Sequence, residues 1–130
     1  MSAPTWAPLI NLAKAAQTRD LAEMGIAQHK AESIRQRIAR LDAQILAEGH
    51  LGVETAPTLG ALTDRWRQTT LLKRAAMEQE LTDATIEIAR CRAVAKRSTA
   101  RLEALKLLQR RDAKAARQLA DRRAEAQMIR

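Results

Sequence analysis

Hydrophobic side chains recur every three or four residues in two long stretches of this chain. In the first stretch, the apolar line runs through Met24, Ala27, Ala31, Ile34, Ile38, Leu41 and Ile45. In the second stretch, the small and apolar line runs through Met77, Leu81, Ala84, Ile88, Cys91, Ala95, Ser98, Leu102 and Leu105. This sustained heptad rhythm predicts two long helices that pack along a narrow seam. Before Met24 the pattern is weaker, and the predicted inward face carries Ile10, Ala13, Gln17 and Leu21.

One short break separates the two stretches. Residues 49–60 contain three glycines and Pro57, a composition typical of a loop, and Gly49 stands where a glycine often ends a helix. The pattern predicts a helix over about residues 9–48, a loop over about 49–58 and a helix over about 59–128. Two helices joined by a short loop fold back on each other. We therefore predict an all-α fold, an antiparallel two-helix coiled-coil hairpin that forms a single domain over residues 1–130.

The two predicted helices differ in length, so the second helix overhangs the first. A chain that folds about residue 53 places Leu9 opposite Arg97 and Leu41 opposite Trp66. The predicted overhang keeps apolar residues, among them Leu102, Leu105 and Leu119. An apolar stripe on a lone helix usually awaits a partner.

The composition narrows the class of protein. The chain has 130 residues, no Phe, no Tyr and only two Trp, so strand-forming and aromatic residues are too few for a β-sandwich or an α/β enzyme. One cysteine excludes an internal disulfide and offers no zinc-site spacing. No secretory signal and no membrane-spanning stretch is apparent. We therefore expect a soluble, cytoplasmic protein.

The positive charge is concentrated at one end of the chain. The formal net charge is +8; residues 1–89 carry ten Lys/Arg and eleven Asp/Glu, whereas residues 90–130 carry thirteen and four. The candidate partner-binding residues combine this charge with the apolar positions: Leu102, Leu105, Arg110, Arg111, Arg117, Leu119, Arg122 and Arg123. They indicate a docking surface for an acidic partner, although a charged face also keeps a long helix soluble.

Residues that could carry chemistry are sparse. His29 and His50 have no neighbour at metal-ligand spacing, and Cys91 stands on the seam like a small apolar residue. No Ser/His/Asp arrangement, glycine-rich phosphate loop or paired carboxylate is present. We expect no catalytic residue, no metal, no cofactor, no small-molecule substrate and no enzymatic activity.

The layout resembles a known family. The shorter helix, the loop and the longer basic helix are similar to those of the flagellar export protein FliJ and its injectisome counterparts of the YscO type. The local similarity is strongest over residues 102–123, and the Asp-Arg-Trp-Arg run at 64–67 falls at the start of the second helix, where the family can carry a similar Arg-Trp. This resemblance implies a stalk-like coiled coil of a type III protein export apparatus. It also implies three partners, namely the secretion ATPase ring, the export gate protein and the export chaperones.

Two alternatives remain open at the level of the sequence. A generic structural or oligomerising coiled-coil adaptor would form a homodimer through the seam of the overhang. A basic-helix nucleic-acid-binding protein would bind DNA or RNA with a steep salt dependence. Nucleic acid is the less favoured partner, because the basic segment has no aromatic residue for base stacking and no recognised DNA-binding layout.

Overall fold

The computed structural model of the chain describes the backbone of residues 6–51 and 57–129. All of these residues are helical, in two helices: α1 spans Trp6–Leu51 and α2 spans Pro57–Ile129. The helices pack against each other, which confirms the predicted all-α two-helix hairpin. The chain divides into two compact units. Unit 1 joins the residues up to Ala22 with those from Arg92 onward, and unit 2 is Glu23–Cys91.

The helix ends differ from the predicted bounds by a few residues. α1 continues through Gly49 to Leu51, and no glycine of the described residues has a positive φ, so Gly49 does not end the helix. A glycine inside a helix costs only about 1 kcal/mol, which neighbouring helical residues offset. α2 begins at Pro57, a residue favoured in the first helical position because its fixed φ suits a helix and its missing N–H has no helical partner there. The centre of the predicted loop, residues 52–56, lies outside the described residues.

Small and large apolar residues alternate in the core of unit 2. Ala31, Ile34 and Ala84 are buried together, and Ile38, Leu81 and Ile88 pack against them. Ion pairs flank this core: the Arg37 guanidinium lies 3.0 Å from the Glu80 carboxylate.

Asp42 and Arg74 extend this flanking network. Arg74 Nε lies 2.6 Å from Asp42 Oδ1, and the guanidinium also contacts Glu78. Hydrogen bonding and charge from Asp42, with a smaller contribution from Glu78, raise the pKa of Arg74.

Unit 1 has a small apolar core. Ile10, Ala13 and Leu102 are buried, and Trp6 and Leu105 pack against them. These contacts hold the first turns of α1 on the α2 residues that follow Arg92.

A polar layer interrupts the seam of unit 1. Asp20 is only 4% exposed and accepts a hydrogen bond from the Ser98 hydroxyl. Beside it, Gln17 Nε2 donates to Thr99 Oγ1 at 3.1 Å. The expected inward residue Leu21 is exposed, because the heptad step places Asp20 rather than its apolar neighbour on the buried face.

The register of the hairpin also differs from the expected one. Ile10 packs against Leu102, five residues beyond the Arg97 that was expected opposite Leu9, and Asp42 pairs with Arg74 rather than with the neighbourhood of Trp66. A heptad seam repeats every seven residues, so periodicity alone leaves the register open. The specific pairs that decide it include the buried Asp20–Ser98 contact.

Candidate functional site

The cover that α1 provides for α2 ends near Leu105 and Lys106. Trp6, the first residue of α1, packs against the cluster that contains Leu102, and beyond Lys106 every described side chain of α2 is exposed. We call residues 107–129 the uncovered segment. It buries no side chain against α1, and its contact with α1 is a hydrogen bond between Asp112 and Trp6.

The structure separates the predicted partner-binding residues into two groups. Leu102 is 3% exposed and Leu105 is half-buried, so both take part in the packing of unit 1. The remaining six are exposed along the uncovered segment: Arg110, Arg111, Arg117, Leu119, Arg122 and Arg123. The exposed docking surface therefore begins after Lys106, farther along α2 than the sequence pattern indicated.

The sequence pattern predicts both leucines in the overhang, because the expected register ends the contact of α1 with α2 too early along α2. That register ended the cover of α1 near Arg97. In the structure α1 covers α2 as far as Lys106, about two and a half turns beyond Arg97, and these turns contain Leu102 and Leu105.

The cations of the uncovered segment have no acidic partner among the described residues. Residues 107–129 carry six Lys/Arg against three Asp/Glu, yet no ion pair forms within this segment. The last ion pair along the described α2 joins Lys106 and Glu103 at 3.8 Å. Arg117 has one weak contact, from Nε to the Ala113 carbonyl oxygen at 3.5 Å. In contrast, Arg37 and Arg74 of unit 2 are both held by carboxylates.

Large apolar side chains are exposed on the same segment. Leu107, Leu108 and Leu119 are each about half exposed, and Met128 and Ile129 are each 87% exposed. A solvated helix does not require these residues, whereas a helix that binds a protein gains affinity from burying them.

A hydrogen bond across the two helices marks the boundary of the uncovered segment. Trp6 Nε1 donates to Asp112 Oδ2 at 2.6 Å. The spacing of apolar residues gives no sign of this pair, because the expected register, with Leu9 opposite Arg97, ends the cover of α1 well before Asp112. Asp112 stands one heptad after Leu105, so the spacing marks it as a seam residue but does not reveal its partner.

The remaining reactive groups do not converge on a catalytic arrangement in the described residues. The Cys91 thiol lies 3.7 Å from Glu87 Oε1, and burial together with this carboxylate raises the pKa of the thiol. A raised pKa lowers the thiolate fraction and the reactivity of the group. His29 is exposed, and the side chain of His50 lies outside the described residues.

A shallow groove in unit 2 collects several carboxylates. It is lined by Ala27, Lys30, Glu80, Asp83, Ala84 and Glu87. Glu80 is paired with Arg37, Glu87 with Arg90, and Asp83 accepts a hydrogen bond from Gln79. No group of three or more potential metal ligands occurs in the part of the chain that the structure describes.

Comparison with protein-family models, with characterised proteins and with solved structures gives no match to this chain. In residues 6–51 and 57–129, neither helix contains a stretch long and apolar enough to cross a membrane. The uncovered segment is thus the feature from which a function can be argued.

Proposed function

We propose that this protein is a non-enzymatic component of a type III protein export apparatus, flagellar or injectisome, and that its uncovered segment docks on the secretion ATPase ring. One observation carries the proposal. α2 continues for several turns beyond the cover of α1, with exposed leucines and with arginines that have no acidic partner in the described chain. The family resemblance supplies the identity of the partner.

The uncovered segment has the properties that a helix needs in order to dock in such a ring. A helix that enters a protein channel needs charge to steer its approach and apolar contacts to hold it. The cations at 110, 111, 114 and 117 supply the charge, and Leu108 and Leu119 supply the apolar contacts. By the same resemblance, the cytoplasmic protein would also engage the export gate protein and the export chaperones.

The test is a binding and ATPase assay with the secretion ATPase of the same organism. We expect the variant R110E/R111E/R117E to bind and stimulate the ATPase at least about tenfold more weakly than the unchanged chain, because three unpaired cations become like-charged with an acidic partner surface. These three side chains are exposed and belong to neither core, so circular dichroism should show unchanged helicity.

A matched control separates docking from net charge. Arg40, Arg65 and Arg67 are exposed in unit 2 and form no ion pair with the described residues. The variant R40E/R65E/R67E changes the net charge by the same amount and should bind as the unchanged chain does. Equal loss in both triple variants would show that only overall charge matters. No loss in either would remove the uncovered segment as the docking element.

A further inference from the structure

The seam of unit 1 continues along the uncovered segment, where contact with α1 is reduced to the hydrogen bond between Trp6 and Asp112. Leu102 and Leu105 are consecutive seam positions covered by α1. The same alternating steps of four and three place the next six positions on this line: Gln109, Asp112, Ala116, Leu119, Arg123 and Ala126. All six are exposed.

The flanks of this line are also small or apolar over most of its length. The positions that border a heptad seam are occupied here by Leu108, Ala113, Ala115 and Ala120, and then by the polar residues Arg122 and Gln127. Heptad spacing places Arg110, Arg111, Lys114 and Arg117 on the opposite, outer face of the helix. The uncovered segment is therefore amphipathic, and its seam face is suited to another helix.

We propose that this face binds the same face of a second copy of the chain, with the two α2 helices antiparallel. The two copies align so that Ala116 of each copy lies opposite Leu119 of the other. A small residue then meets a large one in both central layers of the interface. Asp112 of each copy lies opposite Arg123 of the other, which forms two ion pairs. Gln109 lies opposite Ala126, and the arrangement is the self-complementary contact of a two-fold dimer.

The antiparallel direction follows from the charges. A parallel pair in register would place Asp112 against Asp112 and Arg123 against Arg123, and like charges across a seam are destabilising. The antiparallel pair replaces both repulsions with attractions. The four cations of the outer face point away from the interface, where salt screens their mutual repulsion.

The length of the segment fits the same register. When Ala116 lies opposite Leu119, Lys106 lies level with Ile129, so the second copy extends along the segment as far as the residues that α1 covers. It meets Trp6 of α1 at Asp112. Asp112 can hold Trp6 through Oδ2 while its other oxygen faces Arg123 of the second copy.

This inference does not depend on the identity of the export partner, because it concerns only a second copy of the chain. It does concern the same segment, since Leu108 and Leu119, the apolar contacts proposed for the ATPase, would be covered in the dimer, and docking on the ATPase would require the dimer to dissociate. The outer-face cations tested above lie outside the self-association face, so the two proposals can fail separately.

Sedimentation equilibrium of the full chain tests the dimer. We expect a reversible species of twice the 14.5 kDa of one chain. R123D should raise the dissociation constant by at least about tenfold, because it creates two facing pairs of carboxylates. The double variant D112R/R123D exchanges the two charges and should restore dimerisation. R110E, on the outer face, should leave it unchanged.

A crosslinking measurement checks the register independently of stability. In a C91A background, a mixture of A116C and L119C chains should form disulfides faster than either variant alone, because these two positions face each other across the antiparallel seam. Faster crosslinking of L119C alone would indicate the parallel pair and overturn the proposal. A monomer at every concentration, or a dimer that R123D does not weaken, would overturn it as well.

Discussion

At the scale of single residues, the most informative feature is a carboxylate where the seam pattern would place an apolar side chain. Asp20 is buried and its partners are the Ser98 hydroxyl and the Arg19 guanidinium. A polar pair on a helical seam specifies one alignment of the helices, because any shift leaves the buried group without its partner. The pair therefore contributes to the register that covers Leu102.

The Asp20 carboxyl should make stability depend on pH. The Ser98 hydrogen bond, aided by Arg19 and opposed by burial, lowers the pKa of Asp20 below its ordinary value of 3.8. A carboxyl with a lowered folded-state pKa contributes stability that is fully present above the unfolded-state pKa, and that is lost as the pH falls through the folded-state pKa.

We expect the melting temperature to fall as the pH decreases below about 4, and we expect D20N to reduce this dependence. Thermal melting followed by circular dichroism between neutral and acidic pH would measure it. D121N is a suitable control, because Asp121 is exposed on the uncovered segment and has no ion pair there. If D20N and the unchanged chain lose stability in parallel, Asp20 is not the responsible group.

At the scale of the elements, α2 consists of two parts. The part up to Lys106 packs on α1, and the uncovered segment follows it. Up to Lys106, residues of α2 contribute to the core and to the polar layer through Ser98, Thr99 and Leu102. From Leu107 onward they contribute no buried side chain. An isolated helix in water gains little stability from its own backbone, so the two parts should differ in what their removal costs.

Truncation at two positions should show this difference. A chain that ends at Lys106 keeps the core of unit 1, whereas a chain that ends at Arg97 loses Leu102 and the partners of Asp20 and Gln17. Loss of one buried leucine alone costs roughly 2–5 kcal/mol. We therefore expect the Arg97 truncation to melt at a clearly lower temperature than the Lys106 truncation when both are compared at low concentration. Equal melting temperatures would show that α1 does not cover Leu102 in solution.

At the scale of the whole molecule, positive charge is concentrated in the last third of the sequence. Residues 1–89 are close to neutral, with ten Lys/Arg and eleven Asp/Glu, whereas residues 90–130, with thirteen Lys/Arg and four Asp/Glu, account for the net charge of +8. A field of one sign at one end of a chain accelerates encounter with an oppositely charged partner, and salt weakens it.

Docking on the ATPase should therefore respond to ionic strength. We expect its association rate to fall as the salt concentration rises, and we expect R110E/R111E/R117E to show a shallower dependence because it lacks the steering cations. Stopped-flow measurements of association at several salt concentrations would determine both slopes. A rate that is independent of salt would mean that the cations keep the helix solvated and do not guide docking.

The class of fold and the division of charge follow from the amino-acid pattern alone. Heptad spacing identified the buried faces from Met24 to Ile45 and from Met77 to Leu105, because burial on a helix follows the period of the backbone. The register of the two helices emerges only when they pack. Periodicity permits several alignments, and the pairs that select one, Asp20 with Ser98 and Trp6 with Asp112, join residues far apart in the chain. The candidate site depended on that choice, since the register sets where α1 stops covering α2 and hence which side chains remain for a partner.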